Sequence, residues 1–340
     1  MSSISGFWTD LGFNNEVLKD SCPDNEETVK RQEASLLKVY RSRTKNKRTA
    51  YDIIKDLGAT EFLKIASTLH LDSILKNPNA NVTVFVPSND AMLVISPSMC
   101  SNLTSMNMIM RFHLAKGLIH SSDIRENGML VTLAKWGQAT AKYHLNIKTN
   151  IYKSNHSKII SVSGAKIMKP NHDGNGTVVH LVNKALYPLP ITTAYYTIFN
   201  YGNFSILKTF IAKSYTLLRV LSDLDRFLTF LAPTDQAFKK LPADTFKKLE
   251  NDVQLLTKVF VNHIASKMYY TVGITANFTA KGVSGNKILL KKIQNKFNVT
   301  VNNVTGQLSF PDISTMNGVI HGIDTVLYNS NPKSAIDIIG

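Results

Sequence analysis

Apolar residues fall into two successive blocks along this chain, and in each block helical spacing gives way to strand-like alternation. The first block opens on Tyr51, Ile53, Ile54 and Leu57, a short helix stopped by Gly58. Phe62, Leu63, Ile65, Ala66 and Leu69 give a second helical face, broken by Asn77-Pro78-Asn79. Val82 to Val86 reads as a strand running into Pro87, with Ser88, Asn89 and Asp90 as N-caps of the next helical turn. Met106, Ile109, Met110 and His113 share a helix face, and residues 129–168 alternate as hairpin strands. The second block repeats the plan. Phe204, Leu207, Phe210 and Ile211 make one helix face, and Leu217, Leu218 and Leu221 the next. Leu241 to Phe246 starts a helix with Pro242 near its beginning. Leu255, Leu256, Val259, Phe260 and His263 line a helix expected to end near Ser266. Residues 286–310 alternate as strands, with 304–308 expected as a hairpin turn around Gly306.

Each block closes on a similar stretch. Asn175-Gly176 and Asn317-Gly318 both lead into apolar residues, a histidine (His180, His321) and an apolar tail. Such β-branched runs suit a strand buried on both faces. Thr49-Ala50-Tyr51 pairs with Thr193-Ala194-Tyr195, Pro87 with Pro233, and His113 with His263. Anchors recurring in one order at a nearly constant offset indicate one unit built twice. Helices first, then strands, then a buried closing strand predict an α+β fold: two tandem domains, each a compact β-sandwich or wedge with a helical layer. The expected division is a charged leader (1–48), a first domain (49–187), a short Pro-containing linker (188–192), a second domain (193–330) and a tail (331–340).

These anchors resemble the fasciclin-domain family. The family strand Thr-x-Phe-Ala-Pro-Thr-Asp-x-Ala-Phe is matched by residues 229–238 and more loosely by 83–92, and its closing Asn-Gly-Val-Ile-His motif by 317–327. The resemblance covers roughly residues 49–330. It implies a fasciclin-like fold, adhesion rather than catalysis, and receptors of the integrin class. In matrix members the place of Phe310-Pro311-Asp312-Ile313-Ser314 reads Glu-Pro-Asp-Ile-Met and is associated with integrin recognition. Pro311, Asp312 and Ile313 are therefore receptor-binding candidates, on the expectation that an exposed Asp312 completes a receptor's cation shell. The family's second integrin-linked patch, a Tyr-His helix end, maps to Phe112-His113 and Asn262-His263, with Tyr269 and Tyr270 downstream.

Composition narrows the setting. A net charge of +15 and a pI near 9.6 call for anionic partners. No recognition-helix, zinc-finger or aromatic strand motif points to nucleic acid, so sulfated glycans and acidic matrix proteins are the expected counterparts. Lys287, Lys291, Lys292 and Lys296 crowd one strand region as glycan-binding candidates; a solvated strand face is the plainer reading. Acceptor triplets at Asn81, Asn102, Asn155, Asn175, Asn203, Asn277, Asn298 and Asn303 suggest a secreted glycoprotein. Residues 1–10 lack a signal pattern, so the expectation of export carries no visible leader. No apolar run is long enough to span a bilayer. Two cysteines, Cys22 and Cys100, exclude a disulfide framework; pairing with each other, with another molecule, or free thiols all stay open.

Catalytic patterns are missing: no nucleophile elbow, phosphate loop or His-Glu-x-x-His, and Gly282-Val283-Ser284-Gly285 reads as a turn. No cofactor motif or metal-ligand spacing occurs. His180 and His321 in closing strands, like Pro87 and Pro233 at strand ends, read as structural, and His113 and His263 as core histidines as well as patch members. The expected function is extracellular adhesion or matrix interaction, displaying loops to cell-surface receptors, matrix proteins or sulfated glycans. The alternative is a secreted carrier of an apolar small molecule.

Overall fold

Each copy is organised around two parallel neighbours, the strand after its first helices and its closing strand. In the computed structural model, which describes Ser35 and residues 48–95, 102–136, 143–154, 157–187, 189–274 and 277–328, the first copy holds β1 (Val82–Pro87), β2 (Leu114–Lys116), β3 (Gly128–Trp136), β4 (Tyr143–Ser154), β5 (Ser157–Val162), β6 (Ala165–Gly174) and β7 (Thr177–Val182). β7 pairs in parallel with β1 and antiparallel with β6, and the seven strands close into a barrel. The second copy holds β8 (Leu228–Pro233), β9 (Ile264–Ala265), β10 (Asn277–Lys281), β11 (Lys287–Ile293), β12 (Lys296–Val301), β13 (Val304–Thr315) and β14 (Gly318–Ile323) in the equivalent order. The gap between β9 and β10 is crossed by a bridge from Ala265 to Gly282. The sheet expected as a sandwich or wedge thus curls until it closes or nearly closes.

The continuous apolar runs of β1, β8 and β14 are buried along their whole length because each face meets a different core. Leu228, Phe230 and Ala232 of β8 point to helices carrying Ile198, Leu207, Phe210 and Phe260, while Leu231 points into the barrel beside Ile288, Leu290 and Val299. In the first copy Val82, Val84 and Val86 face the helices and Phe85 faces the barrel. Fully burying one such side chain contributes roughly 1.5–3 kcal/mol, so the double-sided strand is the main anchor of each domain.

Helix starts repeat with the strands. Thr49 and Thr193 cap the first helices, and Ser88 and Thr234 cap the turns after Pro87 and Pro233. Two expectations fail locally. Residues 304–308 lie inside β13; the hairpin turns on Asn302-Asn303, at φ 49° and 68°, because asparagine tolerates the left-handed region without glycine. The helix over Val253–Val261 stops before His263, whose ring occupies its C-terminal end. The two Asn-Gly pairs also differ: strand pairing makes Thr177, opposite Val82, and not Gly176 the counterpart of Gly318, opposite Leu228, one residue out of step. From Thr49 on, the described residues form one compact unit. Cys22, Cys100, Asn155 and Pro188 lie outside the described residues.

Candidate functional site

The four histidines form two duplicated pairs. His113 donates from Nδ1 to the Ile109 carbonyl (2.8 Å) and accepts the Leu186 N–H on Nε2 (2.9 Å). His263 does the same with Val259 (2.9 Å) and Leu327 (3.0 Å). His180 and His321 use the other tautomer. Nδ1 accepts from the Asn171 or Asp312 N–H, and Nε2 donates to Ile119 or Tyr269. Each ring offers one donor and one acceptor, which only the neutral imidazole can do. Burial holds all four below their ordinary range, His113 and His263 down to about 4. They lock each helix end to the segment that follows the closing strand, and each closing strand to a loop.

That geometry corrects several receptor candidates. Phe112, His113 and His263 are fully buried, and half-buried Asn262 accepts from Ser284. Asp312 is not the exposed carboxylate expected: its side chain is 10% exposed and accepts from the Thr271 N–H (2.8 Å) and hydroxyl. A left-handed backbone at φ 62° aims its N–H at His321. Pro311 is exposed and Ile313 buried. The Pro-Asp signal marks a β-bulge, locked by a histidine, that steers the strand.

The lysine region is arranged differently. Ile288 and Leu290 point into the barrel, so Lys287, Leu289, Lys291 and Ile293 form the outward row of β11, all exposed. Lys281 pairs opposite Lys287, and Lys296 opposite Ile293. Lys292, of the inward parity, lies over the Phe297 ring. Between Asp252 and Asp312 the chain has seven lysines and no carboxylate side chain; between Glu126 and Asp173 it again has seven and none. That pattern is readable in the sequence and marks both barrels as basic. Of the acceptor asparagines, Asn81, Asn102, Asn175, Asn203, Asn277 and Asn303 are exposed and Asn298 half-buried.

Sequence reasoning missed the contact between the copies. β4 turns Lys148, Asn150 and Tyr152 toward the second copy, and these polar-looking residues are nearly fully buried. Asn150 donates to the Met268 carbonyl (2.8 Å) and Asn127 accepts the Met268 N–H (3.1 Å). The Tyr152 hydroxyl accepts the Tyr270 N–H (2.8 Å), and the Tyr152 ring lies where a Cβ on Gly273 would sit. Tyr270 in turn fills the space over Gly164 and bonds Ser314. Lys148 donates to the Met316 carbonyl and lies over Phe227; burial lowers it to about 8. Glu126 and Lys267 pair at the rim (2.9 Å). Tyr270, which in the sequence stands beside a receptor patch, is an interdomain anchor instead.

A surface groove of about 760 Å³ lies in the first copy between Leu69-His70, the Leu103–Phe112 helix and β3, lined by Leu103, Met108 and Leu133 and by Arg111 and Lys135. Among the described residues no cluster of His, Cys, Asp or Glu is placed to hold a metal ion, and no helix is long and apolar enough to cross a membrane.

A closed barrel and a nearly closed one, each with a helical layer and locked by paired neutral histidines, define a tandem α+β module. The chain belongs to the fasciclin domain family, whose model matches residues 57–188 and 202–329. It is 25% identical over 262 residues to the transforming growth factor-beta-induced protein ig-h3 of Sus scrofa, covering 75% of this chain and 36% of that protein. To human periostin it is 24% identical over 297 residues, covering 85% and 33%. This chain thus spans about a third of the length of these relatives. A FAS1 domain pair from the insect cell adhesion molecule fasciclin I aligns at TM-score 0.41 and 18% identity, over 79% of this chain and 96% of that one.

Proposed function

We propose that the chain is a secreted, non-enzymatic adhesion module whose two domains, 49–187 and 193–330, present anionic matrix partners with a basic surface. One observation carries the reading: the outward row of Lys287 and Lys291, flanked by Lys281 and Lys296, lies in a 59-residue stretch without a carboxylate side chain. Ammonium groups spaced along an extended strand suit the repeating sulfates of a glycan, and their field stays available where no ion pair among the described residues neutralises them. The exposed acceptor asparagines support an extracellular, glycosylated setting. An integrin-class contact through Pro311-Asp312-Ile313 would need the carboxylate to leave Thr271, so the lysine face is the better-supported contact. The small-molecule alternative would use the groove beside Arg111, whose charged lining suits an acidic amphiphile better than a purely apolar cargo.

The test is heparin affinity against salt. Wild type is expected to elute from immobilised heparin well above physiological salt. Lys287→Glu/Lys291→Glu should lower affinity at least ~10-fold and flatten the salt dependence. Unchanged elution of that variant would end the proposal.

A further inference from the structure

The contact between the copies joins two different faces: the β4 face of the first and the Lys267–Gly273 loop, with Met316, of the second. Because the unit is duplicated, each copy also carries the counterpart of the face the other copy uses, and these counterparts are exposed. Strand register gives the equivalences. The hairpin turns Ser163-Gly164 and Asn302-Asn303 coincide, so Lys148, Asn150 and Tyr152 correspond to Lys287, Leu289 and Lys291, and Gly164 to Asn303. On the other face the same backbone turn (Asp123 N–H to His120 O, Gly273 N–H to Tyr270 O) matches Met268, Tyr270 and Gly273 to Leu118, His120 and Asp123. Ser314 corresponds to Asp173, and the Tyr270–Ser314 bond reappears as His120–Asp173 at 2.8 Å.

The replacements match across the two free faces. Where Tyr152 packs on Gly273 inside the chain, the exposed counterparts offer Lys291 and Asp123, the latter 57% exposed. In place of Tyr270 over Gly164 they offer His120 and Asn303, two hydrogen-bonding side chains. Asn150 against Met268 becomes Leu289 against Leu118, both large apolar residues left 38% and 48% exposed. Lys148, which reaches the Met316 carbonyl, becomes Lys287, facing the Asn175 carbonyl. An aromatic, permanently buried joint is thus rewritten on the two counterpart faces as a charged, exposed one of the same layout.

We infer that the β11 face of one chain docks on the Leu118–Asp123 loop of a second copy, extending the intrachain arrangement head to tail. The join is heterologous, so every added chain presents both faces again and growth continues unless the repeated rotation closes a ring. Its central pair is ionic and solvated, so the association is reversible and falls with salt. The acceptor Asn303 lies inside the contact, and a glycan there would cap the chain.

The test uses the full chain made without glycans, in sedimentation velocity from about 5 to 200 µM at low ionic strength. Weight-average mass should climb past two chains with concentration and return to the 37.8 kDa monomer in ~0.5 M salt. Lys291→Glu alone and Asp123→Lys alone should each weaken association at least ~10-fold by placing like charges together. Their equimolar mixture should regain it, since each variant then meets an opposite charge. Asp123→Lys leaves the β11 face intact, so its heparin binding should persist and separate this inference from the glycan proposal. Monomeric wild type at every concentration, a dimer that stops at two chains, or no recovery in the mixture overturns it.

Discussion

His113 and His263 tie residue chemistry to pH. Each is buried, needed as an acceptor on Nε2, and held at about 4 against an ordinary value near 6.5. A depressed folded value means the unfolded chain binds the extra proton first. Stability from these rings is therefore complete above about pH 6.5 and is lost as pH falls toward 4. Between pH 7.5 and 5 the two together should remove about 4 kcal/mol from the unfolding free energy, and His180 and His321 act in the same direction. Denaturant titrations at the two pH values read this directly; a flat profile would contradict the neutral-imidazole account. Their structural role was legible from their placement in apolar patterns. Their tautomers were not, because one partner of each ring is a backbone group arriving from more than fifty residues away.

At the scale of elements, Asn317 shows how a turn residue becomes a tie. It opens β14, yet its side chain is buried: Oδ1 accepts from the Ala194 N–H and the Thr315 hydroxyl, and Nδ2 donates to the Leu221 and Asp223 carbonyls. It holds the start of one helix and the end of another against the closing strand. The register puts Gly176 at the equivalent place, without a side chain, while Asn175 is exposed. Asn317→Ala should cost about 2–4 kcal/mol, since it strands several buried backbone groups. Asn175→Ala should stay within ~0.5 kcal/mol. Equal effects in chemical unfolding would refute the distinction. The sequence showed two similar Asn-Gly signals; the offset of one residue is set by pairing with β1 and β8, which no local pattern encodes.

For the whole molecule, the contact around Tyr152 decides whether the copies behave as one body. Its ring fills the space over Gly273 and its hydroxyl takes the Tyr270 N–H. Tyr152→Ala removes both and should cost about 3–5 kcal/mol. In calorimetry one cooperative transition should broaden or split in two as the domains uncouple. A single sharp transition at the wild-type temperature would mean the domains are joined by little more than the chain.

The sequence by itself determined the duplication, the order of helices and strands, the doubly buried closing strands and the basic character of both barrels, because those follow from local periodicity and from charges that no fold can remove. Tertiary structure alone decided the rest. Asp312 and Lys148 carry surface-type side chains yet are enclosed, one by Thr271 and the other by the neighbouring copy. Lys287 and Lys291, of the same type, are exposed on the equivalent strand. Burial is a property of what packs opposite, and in this chain that neighbour comes from a distant residue or the other repeat.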